Sequence, residues 1–347
     1  MLLSTRQARR CIGCLPLLAA LDRHDETRYN EQPKTPIQPG KAGCCGDAPL
    51  PWPAAISLEE AEVTLTRPEK HAQPHRELLI TIDVGNSRIK LGLFEKKKQV
   101  ASGRQLPPYV QSMAVELDEE IPWQELSQWA EHAFGRVTVV VLGGVNPRGR
   151  DKVLDGWPAT CWPTPVVLDN PFVLPLTIAV DSPRAVGVDR LLNAIAANVI
   201  RPPGKAMIII DSGTATTVDV VSAQGAFEGG AILPGFQLCS RALHQYTALL
   251  PRIANDELAG PPPQPLGKNT RDAIRSGLFW GQLGAVKELV HHLRQQLPDE
   301  PMIVVTGGAG RLLAPQFPTA LHEPYLALQG LAIVGQQLLA PRSPHEV

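Results

Sequence analysis

No uninterrupted apolar stretch in this 347-residue chain reaches the roughly 18 to 20 residues that a membrane-crossing helix needs. Excess charge of one sign is also missing. With a formal net charge of -1 the chain as a whole attracts neither nucleic acid nor an acidic membrane, so any anion site must be built locally. The familiar phosphate loops are absent: there is no GxxxxGK[ST], and no GxGxxG opens a helix after a strand. Neither a P-loop nor a Rossmann fingerprint can therefore hold a nucleotide here. A GxSxG nucleophile elbow is missing as well.

Cysteine is sparse and unevenly placed. Cys11, Cys14, Cys44 and Cys45 lie near the start, with Cys161 and Cys239 alone later. The spacing of the first four matches no common zinc pattern. Nothing downstream suggests a disulfide framework, so Cys161 and Cys239 are expected to be small core hydrophobes in a reducing, cytoplasmic compartment. Basic residues before a short apolar run in "STRQARRCIGCLPLLAALDRHDE" imitate a signal peptide. Pro16 interrupts that run and no small-x-small cleavage site follows, so export is not expected.

What is present is enough chain for two ordinary domains, or one with an appendage. Hydrophobic residues at 44% and charged residues at 19% describe a globular protein. Residues 1–77 lack periodicity and carry prolines among polar residues, so they are read as a mostly disordered N-terminal extension. A short helix near "SLEEAEVTL" is one alternative within it, and an over-long start of the chain is another.

From Leu78 the texture changes. "ELLITIDVG", "IKLGLFE" and "RVTVVVLGGVNP" read as strands, "WQELSQWAEHAF" and "DRLLNAIAANVI" as amphipathic helices. A second set follows: the strands of "AMIIIDSGTATTVDVVSAQGAFEGGAILPG", helices over "CSRALHQYTALL" and "TRDAIRSGLFWGQLGAVKELVHHLRQQL", the strand and Gly loop of "PMIVVTGGAGRLLAPQF", and a last helix "YLALQGLAIVGQQLLA". Strands in groups alternating with helices predict an α/β fold.

One unit returns. "ITIDVGNSRIKLGLF" and "IIIDSGTATTVDVVS" place Asp83 and Gly85 each 128 residues before Asp211 and Gly213. At the same offset Ile80 and Ile82 meet Ile208 and Ile210, and Ile89 meets Thr217. The Gly loops after "TVVVL" and "MIVVT" add a second correspondence. Two unrelated β-turns would also use Asp and Gly. Two facing hairpins of this kind can hold a polyphosphate, because Gly lets backbone N–H groups approach, hydroxyls donate to oxygens, and the Asp can hold a metal ion through its waters.

At this point the chain resembles a known family. The paired DxG hairpins look like the acetate-kinase, sugar-kinase and actin superfamily. More narrowly, "DVGNSRIKLG", "PRAVGVDR", "DSGTATT", "GGAILPG", "TALLP" and "GKNTRDAIRSG", in this order, resemble type III pantothenate kinase. The likeness runs from about Leu79 to Ala340. It implies two duplicated ribonuclease-H-like (actin-like) subdomains with a nucleotide cleft between them, over residues 78–200 and 201–340, with 341–347 as a tail. It also implies ATP-dependent phosphorylation of the terminal (4'-) hydroxyl of pantothenate, the first step toward coenzyme A, by a homodimer that shares its active sites.

By that resemblance Asp83, Val84, Gly85, Asn86, Ser87, Arg88, Ile89 and Lys90 contact ATP, with Asp83 organising Mg2+ through water. Gly187, Val188, Asp189 and Arg190 line the pantothenate site, with Asp189 as the base. Asp211 matches the monovalent-cation ligand, for potassium or ammonium, Thr214 the second phosphate contact, and Thr247 a pantothenate contact. Ser87 replaces the commoner Thr and keeps the hydroxyl. The substrate-touching Tyr of the family is replaced by Val180, which removes a phenol and puts acceptor specificity in question.

The chemistry fits these roles, since phosphoryl transfer needs an aligned hydroxyl and neutralised charge more than covalent help. Read locally, however, Asp189 is an N-cap of its helix and Arg190 a solvated neighbour, and only the position between the two hairpins and the resemblance reverse that reading. Two other functions stay open: a kinase of the same fold for another small alcohol or carboxylate, and an accessory protein that keeps the fold without turnover. His291 and His292 are read as a solvated face, Trp123 and Trp129 as core, and "EKKKQ" at 95–99 as a hairpin tip.

Overall fold

The computed structural model describes residues 76–96, 104–133 and 135–338. The expectations about the four early cysteines, the signal-like run, the extension up to residue 75, Lys97–Gln99 of the hairpin tip and the tail lie outside the described residues.

β1 (Arg76–Val84) opens the first sheet, two residues before the expected domain start, because Leu78, Leu79 and Ile80 give it a buried run to extend. β2 (Arg88–Glu95) and β3 (Tyr109–Glu116) follow as antiparallel neighbours. α1 (Trp123–His132) leads to β4 (Gly135–Gly144), parallel to β1, and α2 (Pro147–Asp155) leads to β5 (Val166–Leu168). The strand order is β3-β2-β1-β4-β5.

After α3 (Val188–Ile200) the plan repeats: β6 (Met207–Ser212), β7 (Ala215–Val221) and β8 (Phe227–Pro234) form an antiparallel meander. α4 (Phe236–Gln245), α5 (Asn255–Leu258) and α6 (Thr270–Gln296) precede β9 (Met302–Thr306), which lies parallel to β6. α7 (Gly310–Leu313), β10 (Leu321–His322) and α8 (Leu326–Leu338) complete the chain. The second order, β10-β9-β6-β7-β8, is the first read backwards. Two sheets with the same meander and the same parallel additions are the duplicated ribonuclease-H-like architecture.

Local chemistry sets the helix ends. Asn269 caps α6 by accepting from the Asp272 N–H at 2.9 Å. α3 stops because Arg201, which precedes Pro202, is extended rather than helical. α4 departs from expectation: it starts at Phe236 and stops at Gln245, so "YTALL" is not helical. Cys161 is exposed rather than in the core, since in its turn the neighbouring Trp162 takes the inward position. Cys239 is half-buried. Trp129 is core and Trp123 packs against it, as expected.

Successive side chains of a strand face opposite sides. On β1, Leu78, Ile80, Ile82 and Val84 point to an outer core shared with α1, and on β6, Ile208 and Ile210 point to another shared with α6. Leu79 and the pair Met207 and Ile209 point inward, into one continuous core that contains α3 and α8. The inner faces of both sheets thus belong to one core, in which α8 lies on the first sheet and α3 touches strands of both. α8 lies against α3, β1 and β4. The close approach of α8 to α3 needs Gly330, where a Cβ would run into the Leu192 carbonyl oxygen.

Gly330→Ala should therefore push α8 from α3 and destabilise the fold by about 1–3 kcal/mol. Urea unfolding measures this; a midpoint unchanged or raised would contradict the packing described.

Candidate active site

Alternation along the two central strands decides where their carboxylates go. Asp83 shares the inward parity of Leu79, and Asp211 that of Met207 and Ile209. Both end their strands at the same edge of the inner layer. The hairpin tips that follow meet: Ser87 Oγ and Thr214 Oγ1 are 2.7 Å apart, sharing one hydrogen bond. Each tip is tied by its glycine, Gly85 N–H donating to the Arg88 carbonyl and Gly213 N–H to the Ala215 carbonyl, both at 2.9 Å.

The tips differ by one residue. Asp83 faces Lys90 across the first hairpin, while Asp211 faces Thr217 across the second. The second turn is a residue shorter, so Ile89 corresponds to Thr216, not Thr217, and Lys90 corresponds to Thr217. The expected match of Ile89 with Thr217 is corrected accordingly.

Lys90 Nζ donates to Asp83 Oδ2 at 3.3 Å. Burial alone would lower the Lys90 pKa, but Asp83, Asp211 and Asp189 together hold it above its ordinary value. Asp83 Oδ1 is buried with no hydrogen-bond partner. A buried carboxylate oxygen left unpaired is costly, and it is the group a hard cation or its water would satisfy. Among the described residues no three of His, Cys, Asp and Glu converge to enclose an ion by themselves. An ion beside Asp83 would therefore take its remaining ligands from water and phosphate oxygens.

Asp211 accepts from Asn193 Nδ2 at 2.8 Å and lies under Gly307, where positive φ and a glycine are both required because a Cβ would strike Asp211 Oδ1. Burial pushes its pKa up, against the pull of Lys90 and Asn193. Gly144, also at positive φ, lies beside Val84 as the counterpart of Gly307 in the first Gly loop.

α3 supplies the third carboxylate. Its N-cap is Gly187, so Asp189 is not the cap; it sits in the first turn and accepts from the Arg190 N–H at 2.9 Å. Burial, then the charges of Asp83 and Asp211, raise its pKa to about 6 against the pull of that N–H and of Lys90. Such a value leaves a carboxylate ionised at neutral pH yet basic enough to take a proton. Arg190 is not a solvated neighbour either. Its Nε donates to both Asp219 oxygens at 3.1 and 3.2 Å, its Nη2 also bonds Asp219 Oδ1, and its guanidinium lies over the Phe227 ring at 5.4 Å.

The family model described as type III pantothenate kinase matches residues 79–292. A type III pantothenate kinase from Dehalococcoides mccartyi is 34% identical over 265 residues, covering 76% of this chain and 97% of that protein. One from Syntrophotalea carbinolica is 32% identical, covering 74% and 98%. The chain belongs to the type III pantothenate kinase family. Among solved structures, an activator of 2-hydroxyisocaproyl-CoA dehydratase from Clostridium difficile with bound ADPNP aligns with 75% of this chain and 95% of its own, at 13% identity and a TM-score of 0.44.

Of the residues that the family motifs single out, Asp83, Ser87, Lys90, Asp189, Asp211 and Thr214 are drawn together by the bonds and charges above. Val84 and Ile89 turn their side chains into the outer core, so only their backbone can serve the cleft. Asn86 is exposed, and Arg88 reaches across to Glu116, Nε to Oε1 at 2.7 Å. Gly187 abuts Asp189, and Val180 and Val188 pack at the edge of the inner core. Thr247 stands apart from this group: it is exposed beyond α4, its hydroxyl bonded to the Leu243 carbonyl. His291 and His292 are exposed, as expected.

Sequence reasoning missed Asn193, Asp219 and Gly307. Asn193 had a signal, one helical turn after Asp189 on the same face. Asp219 had one too, as a lone carboxylate inside the apolar strand "TVDVV".

Because the folded pKa of Asp189 lies above its ordinary 3.8, its ionised form opposes folding above about pH 6 and stops doing so below about pH 4. Asp189→Asn should therefore melt at a higher temperature than the unmodified protein at pH 8, with the gain shrinking toward zero by pH 4. Melting curves across that range check the sign, and a lower melting temperature at pH 8 would contradict it.

Proposed function

We propose that this chain phosphorylates the 4'-hydroxyl of pantothenate with ATP, opening the route to coenzyme A. The observation that carries the reading is the meeting of the two hairpin tips at Ser87 and Thr214, with Asp83, Asp189 and Asp211 around Lys90. ATP lies with its phosphates between the tips, lined by Val84 to Ile89, where backbone N–H groups of the first tip and the hydroxyls of Ser87 and Thr214 donate to phosphate oxygens. Asp83 would hold Mg2+, which would supply charge neutralisation on the phosphates, and Asp211 would serve a monovalent cation, potassium or ammonium. Asp189 accepts the hydroxyl proton as the alcohol oxygen bonds the γ-phosphorus and the bond to ADP breaks.

Gly187, Val188, Arg190 and Val180 line the acceptor site. Val180 in place of the family's Tyr supports a second reading, in which another small alcohol is the acceptor. Among the described residues no helix is long and apolar enough to cross a membrane. The working site is cytoplasmic.

The protein works as a homodimer. Leu238 and Leu243 on α4, and Tyr246 and Leu249 in the turn that carries Thr247, are exposed, Tyr246 at 80% and Leu249 at 91%. So much apolar surface in one segment favours a covering partner. A second copy would cover it and bring Thr247 to the neighbouring acceptor site, which explains why Thr247 lies away from Asp189 in its own chain.

In a coupled ADP-release assay with ATP, Mg2+ and potassium, pantothenate should support turnover that falls 10²- to 10⁴-fold in Asp189→Asn. The rate should also decline as pH drops through about 6, the value to which Asp189 is raised. ADP release only with a different alcohol would favour the second reading, and none with any acceptor would sink both. In sedimentation, Leu249→Asp should convert dimer to monomer and raise the KM for pantothenate; a monomeric unmodified protein with full activity would refute the shared site.

A further inference from the structure

Arg190 follows Asp189 directly, yet the two side chains are not paired. Only the backbone N–H of Arg190 is hydrogen-bonded to the Asp189 carboxylate. The guanidinium is turned to Asp219 instead, on β7. There Nε meets both carboxylate oxygens and Nη2 meets Oδ1, while the Thr217 hydroxyl donates to Oδ2 at 2.9 Å. The pair is sequestered, with side-chain exposures of 14% for Arg190 and 1% for Asp219. Room for the carboxylate comes from Gly230, its partner on β8, where a Cβ would lie 2.5 Å from Asp219 Oδ1. Phe227 covers a face of the guanidinium. Nη1 has no protein partner among the described residues.

Such a neighbourhood creates a problem for a base. A loose guanidinium one residue away would settle against Asp189, Asp83 or Asp211, whose carboxylates crowd the cleft with only Lys90 among them. An ion pair with Asp189 would neutralise it and make it a weaker proton acceptor.

The geometry points to Asp219 as a positioning residue for the transfer: it draws Arg190 away from Asp189 and fixes the guanidinium so that Nη1 is free for the carboxylate of the acceptor. This rests on the kinase reading. Asp219 touches neither substrate in this scheme and acts only through Arg190. The groups that act on Asp189 are Asp83 on β1, Lys90 on β2, Asp211 on β6 and the backbone N–H of Arg190 on its own helix. Asp219→Asn releases the Arg190 side chain and also removes a charge that acts on Asp211, and the Arg190→Gln background separates the two effects.

The test compares the full chain with Asp219→Asn, Arg190→Gln and the double variant. In Asp219→Asn the acid limb of kcat/KM should move at least half a pH unit lower. The KM for pantothenate should rise at least fivefold, with the KM for ATP changed less than twofold. Both effects should vanish when Asp219→Asn is added to Arg190→Gln. A lower melting temperature with limb and KM unmoved would overturn the inference and leave the kinase reading intact. If Asp219→Asn does not fold, Thr217→Val, which removes one support of the carboxylate, should give a smaller shift the same way, and no shift overturns the idea.

A readout free of turnover separates the two readings. With 13C-labelled aspartate, the Asp189 resonance, assigned by its loss in Asp189→Asn, should titrate at lower pH in Asp219→Asn (or Thr217→Val) than in the unmodified, nucleotide-free protein. An unchanged titration overturns the inference whether or not pantothenate is phosphorylated.

Discussion

Three carboxylates gathered around one ammonium are the constraint on which the site depends. Asp83, Asp189 and Asp211 all act on Lys90, and Lys90 in turn pulls against the burial of Asp189 and Asp211. Like charges held together in a partly desolvated cleft oppose folding unless something compensates them. Lys90 compensates in part, and Asn193 and the Arg190 N–H add hydrogen bonds. The remainder stays uncompensated, visible in the unpaired Asp83 Oδ1 and in the raised Asp189. A cleft in this condition is suited to cations and to a phosphate chain that brings them.

The fold exists to hold that arrangement. Each sheet buries one face against its own helices and the other in the common core of α3 and α8. Because α3 touches strands of both sheets and α8 packs on α3, the strand ends on the inner faces arrive at one place. α3 also contributes from its own first turn, so Asp189 and Asn193 reach the gap that β1 and β6 frame. Glycines at Gly307 and Gly330 are needed because the backbones come too close for any side chain.

Much of this could be read in advance. The return of Asp-x-Gly after 128 residues, each copy led by isoleucines, specified two equivalent hairpins, and the β-branched run "TVVVL" specified a buried strand, though not its place beside β1. Asp189 stood out only by its motif and its position between the hairpins, since its local setting favoured a helix cap. Ile89 was matched one residue out, because a sequence offset cannot register that one turn is shorter than the other. The end of α4 was misplaced because "YTALL" has the apolar spacing of a helix that its fold does not continue.

The linear chain determined the strand periods, the carboxylate at the end of each inward-facing row and the hydroxyl at each tip, since these follow from residue type and a side-chain period of two. Tertiary structure alone decided that Ser87 meets Thr214, that Asn193 reaches Asp211 and that Arg190 turns from Asp189 to Asp219. Those contacts join residues 127, 18 and 29 positions apart, across elements whose mutual placement is set by packing on α3 and α8. No local preference encodes such distances.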